Sequence, residues 1–190
     1  MKKFLIIAAI LSVLIMLLVL TTNSRRMTMG GGDIWIYRNI EELSSQATDI
    51  VRVEVLGSRV RRISTALPPS SFREREIVTI HRLRVIEVFK GSEESGSVME
   101  VMQPGRINRR QTENYGLYDF ATGEDLILFM YSFDYDRLPA VLLTLHQAVY
   151  RVVSSDDGSV EIENYSEFNN FTLTMQDLER IADEYFGRYP

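Results

Sequence analysis

A period of two governs the middle of this chain and confines the fold to a narrow class. From Ile50 onward, Val51, Val53 and Val55 alternate with Arg52, Glu54 and Leu56, the pattern of a strand with one buried face. Residues 77–89 form a second, longer strand. Val78 and Ile80 hold one parity there, Leu83 and Val85 the other, and Ile86 and Val88 return to the first. An apolar parity that switches twice predicts a bulge or strong coiling. A third strand is expected over 97–103 and a fully buried one over 126–131, with further candidates at 141–145, 148–153 and 160–163. Pro68-Pro69, Gly91, Gly96 and Pro104-Gly105 punctuate them. Asp156-Asp157-Gly158 marks a hairpin between the last two, because Asp-Gly tolerates positive φ.

Helical spacing is confined to the two ends of this region. Ile40, Leu43 and Ala47 share a helical face, with Asn39 placed to cap it and Glu41 and Glu42 in the first turn, where the helix dipole favours acids. Residues 174–186 set Leu178, Ile181, Ala182 and Tyr185 on one face, open on a capping-box-like Thr174 and Asp177, and end at Gly187. Strands in succession with helices only at the ends exclude a doubly wound parallel sheet. They predict a mainly β fold, a small antiparallel barrel or sandwich preceded by a short helix and followed by an amphipathic one.

The amino terminus is of another kind. Lys2 and Lys3 precede residues 4–20, whose only polar member is Ser12, and the uncharged stretch runs on through Ser24. As a helix it reaches about 31 Å, enough for the hydrocarbon core of a bilayer. The apolar run is longer than that of a cleaved secretory signal and lacks a small-residue cleavage pattern, so residues 1–24 read as a signal-anchor, with a cleaved signal and a secreted domain as the alternative. Basic residues tie across the span, Lys2 and Lys3 against Arg25 and Arg26, and the free amine tips the N-terminus inward. Residues 25–32, ending in three glycines, read as a tether, and 33–190 as a domain outside the cytoplasm. Of the chain's 21 basic and 26 acidic side chains, four basic and no acidic ones fall in residues 1–32, which leaves 17 and 26 in the domain, a net charge of −9. Such a domain repels polyphosphate at long range, and no nucleic-acid partner is expected.

The succession of Asp49 to Val55, Leu83 to Gly91 with its Val85, Val88, Lys90 and Gly91, then Val98 to Gln103, then Gly123-Glu124-Asp125 leading into Leu126 to Phe129 carries a resemblance. It resembles a group of uncharacterised bacterial cell-surface proteins in which a strand of V-x-x-V-x-K-G type precedes one of G-E-x-Y-L-L-F type. It is similar, too, to the strand skeleton of the netrin/TIMP-like branch of the OB-fold. The resemblance spans roughly residues 40–153 and implies a five-stranded Greek-key, OB-like barrel. Its motifs consist of core Val and Leu and turn Gly, so it implies no chemistry. The inhibitory mechanism of TIMP-type proteins needs an N-terminal Cys, and the chain has no Cys at all.

No motif for catalysis emerges. Without Cys there is no thiol nucleophile, disulfide or thiolate metal site. His81 and His146 are the only imidazoles and belong to no metal-binding spacing, so His81 reads as structural or exposed. No nucleophile elbow of G-x-S-x-G type occurs. Acids gather at Asp119, Glu124, Asp125, Asp134, Asp136, Asp156 and Asp157, yet without calcium-loop spacing. No catalytic residue, metal ligand or cofactor is therefore assigned.

Arginine is the unusual feature, supplying 18 of the 21 basic residues. Arg59, Arg61, Arg62, Arg73, Arg75, Arg82 and Arg84 surround one predicted hairpin, and Arg106, Arg109 and Arg110 lie on a long polar loop. Alternation puts Arg82 with Arg84, and Arg59 with Arg61, on common sides. Guanidinium forks suit phosphate or carboxylate. The opposing reading pairs them with Glu54, Glu74, Glu76 and Glu87 as a solvated surface. Tyr115, Tyr118, Phe120 and Phe133 flank the loop, as satellite core or as a ligand platform. The expected function is a non-catalytic binding module held at the membrane by residues 4–20. Its ligand site would be Arg61, Arg62, Arg73, Arg75, Arg82, Arg84, Arg106, Arg109 and Arg110, facing an envelope protein or anionic envelope polymer. The most exposed parts would be the hairpin 57–76 and the loop 104–118. Two alternatives stand beside it: a carboxylate-based hydrolase of the envelope using acids within 119–136, and a structural subunit of a membrane assembly.

Overall fold

A computed structural model describes residues 26–29, 32–64, 75–105, 117–133, 138–154 and 160–187, with backbone alone for 26–29, 32–35, 64 and 75. The expected membrane segment, 1–24, lies outside these residues. Among those described, no helix is long and apolar enough to cross a membrane. The chain divides into two units, residues 1–37 and 38–190. In the first, β1 (Arg26–Met29) and β2 (Gly32–Trp35) pair antiparallel, Arg26 opposite Trp35 and Met29 opposite Gly32. Residues 26–29 and Gly32 fall in the stretch expected as a tether, and here their backbone is extended and paired.

The second unit opens with α1 (Ile40–Gln46). Two side chains close its start. The Asn39 side chain accepts from the Glu42 N–H at 2.8 Å, and the Glu42 carboxylate accepts from the Arg38 N–H at 2.8 Å. Seven residues do not hold a helix in water, so packing must, and Ile40, Leu43 and Ala47 are the residues it buries. At the far end α2 (Met175–Phe186) carries the full capping box, Thr174 accepting from the Asp177 N–H and Asp177 from the Thr174 N–H. Leu178 and Ile181 are buried, and Gly187 follows the last turn. Arg180 of α2 reaches Glu41 of α1 at 3.0 Å.

Between the helices run β3 (Asp49–Ser64), β4 (Arg75–Lys90), β5 (Val98–Pro104), β6 (Asp125–Tyr131), β7 (Ala140–Leu142), β8 (Val149–Ser154) and β9 (Val160–Asn164). They form one seven-stranded sheet in the order β3-β4-β5-β7-β6-β8-β9. β3 also pairs with β6, Asp49 to Glu54 against Met130 to Asp125, so the pairings of the first five return to their start as a ring. The expectation of an antiparallel sheet needs one correction: β5 and β7 are parallel, Val101 beside Ala140 and Met102 beside Val141. The reason is arithmetic. Strand directions cannot alternate all the way round a ring of five, and one neighbouring pair has to agree. The β8–β9 hairpin expected from Asp-Asp-Gly is present, with Ser154 opposite Val160.

The switching parity of β4 has two causes. The register between β3 and β4 slips at three places, where Phe89 and Ile86 on β4 and Leu56 on β3 are the extra residues. The slip at Ile86 accounts for the second switch. The first is no bulge of β4: Val78 and Ile80 face away from Leu83 and Val85 into a separate cluster with Met102, against which Ile63, Phe133 and Val141 pack. Directly opposed residues share a face of the sheet. By that rule Val51, Val53 and Val55 lie with Leu83, Val85, Leu126 and Leu128, all at most 1% exposed. β6 is buried on both sides from Leu126 to Met130, with Phe129 against Tyr150 on the second face.

Candidate binding face

Opposed pairs in β3 and β4 sort the arginines. Gly57 faces Arg82, Arg59 faces Ile80, Arg61 faces Val78, and Glu54 faces Arg84, which places Arg59, Arg61, Arg82 and Arg84 on one side of the ribbon. β5 continues that side with Glu100 opposite Arg82 and Val98 opposite Arg84. Arg62 faces Ile77 and points to the other side. The side chains of Arg73, Arg75, Arg106, Arg109 and Arg110 lie outside the described residues.

Two of the four clustered arginines are engaged. Arg84 binds Glu54 at 3.1 Å, as the surface-pairing reading expected, and Arg59 binds Glu100 at 2.6 Å. Glu100 was not among the expected partners, because it lies across a strand whose register the sequence does not state. Both pairs are well exposed and worth at most about 1 kcal/mol each. Arg61 and Arg82 are exposed, and no carboxylate of the described residues pairs with them. A mixed face results, with two neutralised guanidiniums and two open ones.

Beneath this face, on the opposite side of β4, lies a buried polar cluster that the sequence does not announce. His81 is fully buried. The Gln103 amide nitrogen donates to His81 Nε2 at 2.8 Å and to the Tyr118 carbonyl at 3.0 Å, while Gln103 Oε1 accepts from the Tyr118 N–H at 2.9 Å. Because that amide only donates, Nε2 must be the acceptor, so the partners assign the proton to Nδ1, which donates to Ser58 Oγ at 3.0 Å. Burial draws the imidazole pKa down to about 4, against a smaller upward pull from Asp119. Phe120 covers the ring at 4.7 Å. Both ring nitrogens are thus committed, and the residue ties β3, β4, β5 and segment 117–120 together. Period two carried the only signal for it: His81 shares the parity of Leu83 and Val85, and Gln103 that of Val101 and Met99.

The stretch expected to be exposed at 104–118 is buried where described beyond Gly105, at Leu117 and Tyr118. Tyr118 and Phe120 stack on each other, and Tyr165 meets both edge-on. Tyr118 and Phe120 are core, desolvated against each other and against the half-buried Tyr165. Phe133 is half-buried in the smaller cluster, and Tyr115 lies outside the described residues.

Among the described acids, Asp125 and Glu124 are each taken by an arginine. Asp125 takes a two-pronged contact from Arg52, Nη2 to Oδ2 at 2.7 Å and Nε to Oδ1 at 3.0 Å. Glu124 takes Arg151 at 3.2 Å and the Ala121 N–H at 2.8 Å. Asp119 is exposed, and Asp134, Asp136, Asp156 and Asp157 lie outside the described residues. Among the described residues no three of His, Asp and Glu gather as a metal site would require. In comparisons with known proteins, the chain matches no family model, no curated protein and no solved structure.

Proposed function

We propose that this chain is a membrane-anchored binding module, held by residues 4–20 with residues 33–190 outside the cytoplasm, that grips an anionic envelope polymer or protein without transforming it. The observation that carries this reading is the pair Arg61 and Arg82, open and on one side of the β3–β4 ribbon, beside Arg59 and Arg84 already tied to carboxylates. An OB-like Greek-key barrel is the fold proposed for it. The ring of five strands supports that reading.

The test is binding of the full chain in detergent to polyglutamate and to poly(glycerol phosphate), titrated with salt. Replacing Arg61 and Arg82 with Ser is expected to weaken binding to at least one of them and to flatten its dependence on salt. Arg62→Ser, on the other side, serves as the comparison. Equal binding by the wild type and the Arg61→Ser, Arg82→Ser variant rejects the arginine face. Recovery of the chain in a cytosolic fraction, or protection of a tag at Pro190 from protease outside intact cells, rejects the location.

A further inference from the structure

Among the described residues, the seven-stranded sheet has two open edges: beyond Val55, β3 has β4 on one side and no strand on the other, and β9 has β8 alone. Open edges present unpaired N–H and C=O groups ready for another strand. Here the two edges carry opposite charge in matching order: Arg59-Val60-Arg61 on β3 and Glu161-Ile162-Glu163 on β9. All four charged side chains are exposed, as is Val60, and Ile162 is half-buried.

We propose that β9 of one copy of this chain adds to the β3 edge of a second copy. Side chains alternate along a strand, so Arg59 and Arg61 share one side and Val60 lies on the other; Glu161 and Glu163 share one side and Ile162 lies on the other. Centred on Val60 and Ile162, the two triplets match in either strand direction. Each Arg then stands opposite a Glu, and the apolar residues meet. Like edges do not fit: β3 against β3 opposes arginines, and β9 against β9 opposes glutamates, both unfavourable across a ladder. Arg59 also contacts Glu100 within its own copy, which leaves Arg61 as the stronger handle. Because the two faces of the contact differ, it is head-to-tail and extends to rings or filaments. It is short, so it suits a weak association that grows with concentration. The inference rests on strand edges but shares Arg61 with the ligand reading above, so the cross-linking below, done without any anionic polymer, tests it separately.

The absence of cysteine supplies the test. Full-length chains carrying Val60→Cys or Ile162→Cys are mixed in detergent at low salt and oxidised. Opposed positions of a strand pair lie within disulfide reach. The mixed disulfide is expected to exceed either homodimer by about fivefold or more, and to fall severalfold at about 0.5 M salt. R59E/R61E in the first chain, or E161R/E163R in the second, should each abolish it, and the two reversed chains together should restore it. Three results overturn the proposal. One is a mixed product no greater than that of Val98→Cys with Phe168→Cys, which are exposed positions off both edges. The second is Val60→Cys homodimers in excess. The third is reversed chains that keep their circular dichroism yet fail to recover the product.

Discussion

The buried His81 makes stability depend on pH in a direction that can be worked out in advance. An imidazole in the unfolded chain titrates near 6.5, whereas in the fold burial holds it at about 4. The folded pKa is the lower one, so the unfolded state binds the extra proton between the two values. Stability is therefore fully present above pH 6.5 and drains away as pH falls toward 4. The slope in that window approaches about 1.4 kcal/mol per pH unit, and the loss from pH 7 to pH 4.5 is about 2 kcal/mol. Geometry agrees with the sign. A proton on Nε2 would face the Gln103 NH2, and that amide cannot turn over without setting its own donors against the Tyr118 N–H. Urea unfolding followed by circular dichroism at pH 7, 5.5 and 4.5, for wild type and His81→Gln, measures the effect. The wild type should lose about 2 kcal/mol more than the variant across that range, whatever the variant costs at neutral pH. Parallel pH profiles for the two proteins would refute the reasoning.

Three further substitutions test the packing and the surface pairs. Gly91 has φ +115°, and a Cβ there would collide with the carboxylate of buried Asp49, so Gly91→Ala should cost about 2–3 kcal/mol in a urea midpoint comparison; a neutral result would disprove the contact. Arg52→Ala breaks the two-pronged pair with Asp125, where the side chains are 21% and 28% exposed, and should cost about 1–2 kcal/mol. Arg84→Ala, at 54% exposure against Glu54 at 39%, should stay within about 0.5 kcal/mol in the same assay. Equal costs for the two arginines would show that partial burial of the first pair is energetically empty.

Both helices were legible because their determinants are local: Asn39 with Glu42, and Thr174 with Asp177, are caps closed within four residues. The strands of the seven-stranded sheet were legible for the same reason, as alternation is a property of each segment alone; β1 and β2, at four residues each, were not. Pairing is not. Nothing near Val101 says that it will lie beside Ala140, and nothing near Arg59 names Glu100, since each depends on a register set elsewhere in the sheet. The two switches of parity in β4 looked alike in sequence and proved to have different origins, one a slipped register at Ile86 and one an apolar cluster around Val78 and Ile80 on the far face. The buried cluster was hidden for a chemical reason. His and Gln are residues normally given to the surface, and they go inside here only because each satisfies the other and Tyr118.

Strand β6 has a neighbour along each flank, β3 on one and β7 then β8 on the other, and no exposed residue from Leu126 to Met130. Such a strand has no private way to breathe. Its amide hydrogens can leave for deuterium only when the sheet as a whole comes apart, so their exchange reports the global stability of residues 38–190, while those of β9 report fraying at the rim. Because its partners on β3 lie 71 to 81 residues earlier in the chain, from Glu54 opposite Asp125 to Asp49 opposite Met130, that keel is also laid late, after a long closure has been made.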